Sequence, residues 1–171
     1  MNKKILGIAV VLMAVAILAT PLLGIAYAKK PEFVSGTQMI MGYVPLGDVP
    51  KGKSDNVLST AMLDVAWSGD IDGLATYEGI LMIHSMYPVA INIHEKIYFE
   101  EVTVLGKTGS LTLQVCANLG RGVDAGFRWT IIDGTDELAN LHGRGTYWLA
   151  DPVNGIYDYE GYVHFEPIDN S

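Results

Sequence analysis

Thr60-Ala61-Met62-Leu63-Asp64-Val65-Ala66-Trp67-Ser68-Gly69-Asp70 is the stretch that decides the class of this protein. Ala61, Leu63, Val65 and Trp67 fall on one phase of a two-residue period, Thr60, Asp64 and Ser68 on the other, and Ser68-Gly69-Asp70 closes the run with turn chemistry. That is a strand with one buried face. The alternation returns in Leu111, Leu113 and Val115 against Thr112 and Gln114, and in Phe127, Trp129 and Ile131 against Arg128 and Thr130. Near the end of the chain, Tyr157, Tyr159, Val163 and Phe165 oppose Asp158, Glu160 and His164.

Working outward, β-rich runs alternate with Gly, Pro and Asp turns at spacings too short for βαβ units. The expected strands are residues 33–44, 57–67, 74–83, 97–105, 110–119, 125–132, 145–149 and 156–165, eight in all. Residues 46–56, with Gly47, Pro50 and Gly52, read as a surface loop, and residues 135–141 are the one helical candidate. Strands with one buried face belong to an antiparallel sheet. Eight of them around an aromatic-rich interior are expected to close into a single barrel, which also removes exposed edges. Leu138 and Leu141 are expected to face inward and plug one end of it.

Ahead of that domain, Lys3 and Lys4 precede an apolar run from Ile5 to Ala19, and Ala26-Tyr27-Ala28 forms a small-x-small box. This pattern predicts a secretory signal over residues 1–28, cleaved after Ala28, with residues 29–171 as the mature domain outside the cytoplasm. The rival reading is an uncleaved anchor, since residues 5–28 carry no charge and a span needs about 20 residues. Thr20-Pro21, which breaks a helix after the apolar run, argues for cleavage.

The 171 residues carry 11 Lys and Arg against 19 Asp and Glu, a net charge of −8. Losing residues 1–28 removes two lysines and no acid, which leaves −10. Such a balance argues against nucleic acid and against a polybasic membrane surface, so that membrane contact is expected only through an uncleaved signal. Cys116 is the one cysteine, which rules out an internal disulfide and leaves stability to the core.

Familiar motifs fail on inspection. Gly106-Lys107-Thr108 lacks the glycine of a P-loop, whose place Glu101 takes, and Gly143-Arg144-Gly145 has Trp148 where a dinucleotide fingerprint needs its third glycine. No Gly-x-Ser-x-Gly elbow occurs, and His84, His94, His142 and His164 show no metal-ligand spacing. No cofactor or metal is expected, and no catalytic residue can be assigned. Trp67, Tyr77, Phe127, Trp129, Tyr147, Tyr157 and Tyr159 either fill the barrel or line a cavity in it.

Carboxylates near such a wall attract attention, because a buried acid is costly unless paired or protonated. Glu78 lies in a strand apolar on both faces, and strict alternation obliges one of Glu100 and Glu101 to face inward. The expected lining set is Trp67, Tyr77, Glu78, Glu100, Glu101, Phe127, Arg128, Trp129 and Tyr159, with Arg128 as a possible partner for an acid. If none of those three acids points inward, or if the lumen is filled without a cavity of about 300 Å³, both pocket readings fail and a surface or assembly role becomes the better hypothesis.

Ser68-Gly69-Asp70-Ile71-Asp72-Gly73, Gly106-Lys107-Thr108-Gly109-Ser110-Leu111, the Gly134 to Gly143 segment and the Tyr-rich closing strand carry a family likeness. Over about Gly36 to Glu166 the chain resembles a prokaryotic family of small domains without assigned activity, in the superfamily of the plant allene oxide cyclase barrel, to which dirigent proteins are also similar. The most specific part is Gly-Thr-x-Glu-Leu-x-x-Leu-x-Gly, where Asp136 stands in place of an expected glycine. The resemblance implies an eight-stranded barrel and, for the named relatives, a lumen that holds a small apolar molecule and steers its cyclisation or coupling. It transfers no catalytic residue.

Two functional readings follow. One is an exported module that binds a small apolar molecule in its lumen or serves a surface role, with a second copy of the chain as the other candidate partner. The other is a cofactor-independent isomerase or cyclase, in which a lumen carboxylate acts as acid, base or electrostatic guide.

Overall fold

The computed structural model describes residues 30–50, 57–86, 89–120 and 126–167. The expected signal, residues 1–28, lies outside the described residues. Eight antiparallel strands form one closed barrel in sequence order, with β1 paired to both β2 and β8. They are β1 (Glu32–Pro50), β2 (Val57–Gly69), β3 (Ile71–Met86), β4 (Val89–Val104), β5 (Lys107–Gly120), β6 (Phe127–Gly134), β7 (Leu141–Asp151) and β8 (Ile156–Phe165).

β3 and β7 are longer at both ends than expected, and three further departures have a visible cause. β4 begins at Val89, well before residue 97, because His94, Glu95 and Lys96 interrupt an apolar alternation that in fact runs on through Ile91, Ile93 and Ile97. β1 reaches Pro50, so the expected loop from residue 46 is partly strand; bulges at Ile40/Gly42 and Pro45/Gly47 absorb its irregular residues. Only Asp136–Leu138 is helical, a single 3-10 turn, and Leu141 already belongs to β7.

The two ends of the barrel differ. At one end the β2–β3 and β4–β5 turns are tight, and the 3-10 turn is tied to β5 by bonds from Thr135 N to Ser110 O (3.1 Å) and from Thr108 N to Glu137 Oε2 (3.0 Å). Leu138 there is fully buried in the core and Leu141 nearly so, as the plug requires. At the other end β1 to β5 extend past the rim of β6 to β8: β8 pairs with β1 only from Glu32 to Met39, and β6 pairs with β5 only as far as Cys116. That end is open.

The plugged half is packed solid. Val65, Trp67, Leu111, Leu113, Trp129 and Ile131 are buried as the alternation predicts, while Leu63 and Phe127 pack against the core from partly exposed positions. Trp129 lies across β7 and β8 where Gly145 and Gly161 have no side chains; a Cβ on either glycine would come 2.3 Å from its Cζ2. Tyr159 crosses to β3, its hydroxyl accepting from Ile71 N at 2.8 Å and donating to Ile71 O at 3.1 Å.

Candidate functional site

None of the three expected carboxylates faces the lumen. Glu78 is exposed because its neighbour Tyr77, paired with Leu63 and Ile97, takes the inward phase; Glu78 lies opposite Met62 and Lys96 on the outer surface. Glu100 and Glu101 are both exposed because β4 bulges between them and β5: Phe99 pairs with Leu111 and Val102 with Gly109. The extra residue lets Phe99 and Val102 both point inward and turns both acids out, where strict alternation would have buried one. Arg128 is exposed on the outer face of β6, opposite Cys116 and Thr146, and pairs with no lumen acid.

The aromatic expectations fare better. Trp67, Tyr77, Trp129 and Tyr159 are buried inside the barrel, and Phe127 is partly buried at the open end. Trp67 and Tyr159 pack at 4.6 Å between ring centroids, deep in the filled half. Phe127 stacks on Tyr147 at 4.5 Å with planes 7° apart, and Tyr157 meets both rings edge-on, at 6.0 Å and 5.7 Å. These three rings wall the lumen below its mouth.

The acid that does face them is Glu95. It sits on the inward phase of β4, between Ile93 and Ile97, opposite Gly79 on β3 and Val115 on β5. Gly79 makes the niche: a Cβ there would lie 2.7 Å from Glu95 Cγ, so the carboxylate can fold over the neighbouring strand only because that strand has no side chain. The Tyr147 hydroxyl donates to Glu95 Oε2 at 3.4 Å. Burial outweighs that bond and pushes the Glu95 carboxyl up to about 7. Burial likewise raises Tyr147 and Tyr77, and the negative charge of Glu95 adds to both.

A second polar group lies beside it. Gln38, buried on β1, accepts a hydrogen bond from the Tyr77 hydroxyl, which in turn accepts one from Trp67 Nε1 at 3.2 Å. Among the described residues the interior therefore holds the acid Glu95, the phenols of Tyr77, Tyr147, Tyr157 and Tyr159, and the amide of Gln38, with apolar side chains around them. Below pH 7 the acid can donate a proton to a ligand oxygen, and above it can accept one.

Sequence reasoning missed Glu95 and Gln38, though both left a trace. In Ile91-Asn92-Ile93-His94-Glu95-Lys96-Ile97 the acid occupies the apolar phase, and Gln38 does so between Val34 and Ile40. The histidines, scattered in sequence, pair across strands: His142 stacks on His164 at 5.6 Å, and His94 Nδ1 lies 3.5 Å from Cys116 Sγ. Among the described residues no three metal-ligating side chains gather into one group.

Comparisons with other proteins bear on the family and the fold. Residues 41–160 match the model of a family described as "Protein of unknown function (DUF3224)". The chain belongs to the DUF3224 family. A crystal structure of a DUF3224 protein of unknown function from Shewanella oneidensis MR-1 is 20% identical and superposes with a TM-score of 0.65, over 81% of this chain and 99% of that one. The pterocarpan synthase dirigent protein GePTS1 is 14% identical, with a TM-score of 0.48 over 86% of this chain and 96% of that one. No curated protein matches. The DUF3224 membership bears out the family likeness read from the sequence, and the Shewanella structure shares the fold.

Proposed function

We propose that this DUF3224 barrel is an exported binding module that holds a small, mainly apolar molecule inside the barrel, in the half away from the 3-10 turn, with one polar atom of the ligand against Glu95. The observation that carries the reading is the placement of Glu95: an acid on the inner wall, in a niche left by Gly79, facing Tyr147 and the Phe127–Tyr157 edge. An apolar wall with few convergent polar groups is the usual make-up of a small-molecule site. The criterion that one of Glu78, Glu100 or Glu101 point inward fails, but the physical requirement behind it is met by a different acid. Export rests on residues 1–28 and implies a mature chain beginning at Lys29.

A second reading has its own support. A carboxyl raised to about 7 beside a phenol is suited to proton transfer near neutral pH, which is all that a cofactor-independent isomerase needs beyond a shaped pocket.

Native mass spectrometry of protein purified from its own host tests the binding reading. A copurifying apolar molecule, lost or weakened at least tenfold in Glu95→Gln, is the expected result. A host-purified protein free of any small molecule, or a ligand indifferent to Glu95, overturns it. Conversion of the recovered molecule by the parent but not by Glu95→Gln would establish the isomerase instead. The same spectrum reports the mature N-terminus, and an intact residue 1–28 segment would make the chain an anchored protein.

A further inference from the structure

Two outer faces of the barrel carry opposite charge. On one, the outward positions of β6, β7 and β8 form a lattice in which Arg128 faces Thr146, Thr130 faces Arg144, and Arg144 faces Tyr162. Together with His142, His164 and Lys30 they wall a groove of about 1220 Å³. Phe33 and Tyr162 meet there edge-to-face at 5.4 Å, each more than half exposed. Glu160 is the one acid along this groove among the described residues, and neither arginine has an ion-pair partner among them.

The other face belongs to β2, β3 and β4. The β4 bulge that turns Glu100 and Glu101 outward sets both opposite Leu74, since Gly73 pairs with Val102 and Ala75 with Phe99. Leu74 is 72% exposed in mid-strand. Asp64, Asp72, Glu100 and Glu101 line the groove of about 850 Å³ around it, which has no basic side chain among the described residues. An exposed leucine ringed by acids is poorly placed for water, and well placed for an aromatic surface ringed by cations.

We propose that these faces bind each other between copies of this chain, with Leu74 of one copy seated on the Phe33–Tyr162 pair of the next and its acids against Arg128 and Arg144. Charge complementarity selects the occupant. The chain as a whole is acidic, so a second copy is on average repelled, whereas the cationic groove attracts it. β3 and β7 lie four strands apart in the closed barrel, on opposite sides, so the contact is heterologous and each copy uses both faces. The lumen plays no part in it.

Sedimentation velocity of the full chain, as its host processes it, reads this directly. Association should grow with protein concentration at low ionic strength and weaken in about 1 M salt, where the screening length falls to about 3 Å. Arg128→Glu/Arg144→Glu should weaken it at least tenfold, as should Asp72→Lys/Glu101→Lys, each variant keeping the parent's melting temperature. An equimolar mixture of the two reversed proteins should associate again, because each then meets its charge complement. Leu74→Gln, which changes no charge, supplies an independent loss. A monomer at every concentration in low salt overturns the proposal, as does an oligomer indifferent to both reversals. Loss with the arginine variant alone would also overturn it, and would assign the groove to some other polyanion.

Discussion

Gly79 and Glu95 face each other across β3 and β4, and the missing side chain of the first is what gives the second room to lie on the inner wall. Gly79→Ala is expected to destabilise the barrel by about 1–3 kcal/mol, the usual cost of overpacking. In a Glu95→Ala background most of that cost should vanish. A double-mutant cycle by denaturant unfolding measures the coupling, and strictly additive effects would mean that the niche does not depend on Gly79.

Stability should fall as pH rises through the range in which Glu95 titrates. The unfolded chain ionises this group near its ordinary value of 4.5, whereas the folded barrel holds the proton up to about 7. Below the lower value neither state is charged, and the group contributes no penalty. Between the two the unfolded state alone releases its proton, so folding weakens, and above about 7 the loss is complete, at most about 3 kcal/mol. Glu95→Gln should flatten this part of the profile and match or exceed the parent at neutral pH. Parallel profiles for parent and variant would place the titration elsewhere.

Trp129 anchors the filled half, fully buried over Gly145 and Gly161. Trp129→Ala should cost about 3–5 kcal/mol in equilibrium unfolding. A cost under ~1 kcal/mol would contradict its burial.

Asp136 sits at φ 54°, a left-handed conformation at the start of the plug, at the position where the sequence likeness implies glycine. Asp136→Gly is therefore expected to stay within about 1 kcal/mol of the parent, whereas Asp136→Val should lose about 1–2 kcal/mol, because a β-branched side chain fits this conformation badly and gives up the bond from Thr135 Oγ1. Chemical denaturation separates them, and equal stability of the two variants would show that backbone conformation does not select the residue here.

The two-residue period of Ala61, Leu63, Val65 and Trp67 and its counterparts was sufficient to read the all-β class, the strand number, the aromatic core and the plug. Hydrophobic burial acts on each strand separately, and a strand displays its buried face in its own sequence. The proposal of export likewise rests on a contiguous stretch, residues 1–28, read without any fold. Tertiary structure alone decided the site. Which phase of an ambiguous strand faces inward depends on its partners: Tyr77, held by Leu63 and Ile97, turns Glu78 to solvent, and one extra residue in β4 exposes Glu100 and Glu101 together. Glu95 became a lumen acid because a glycine stands opposite it on another strand and a tyrosine reaches it from β7, relations between residues far apart in the chain that no local pattern encodes.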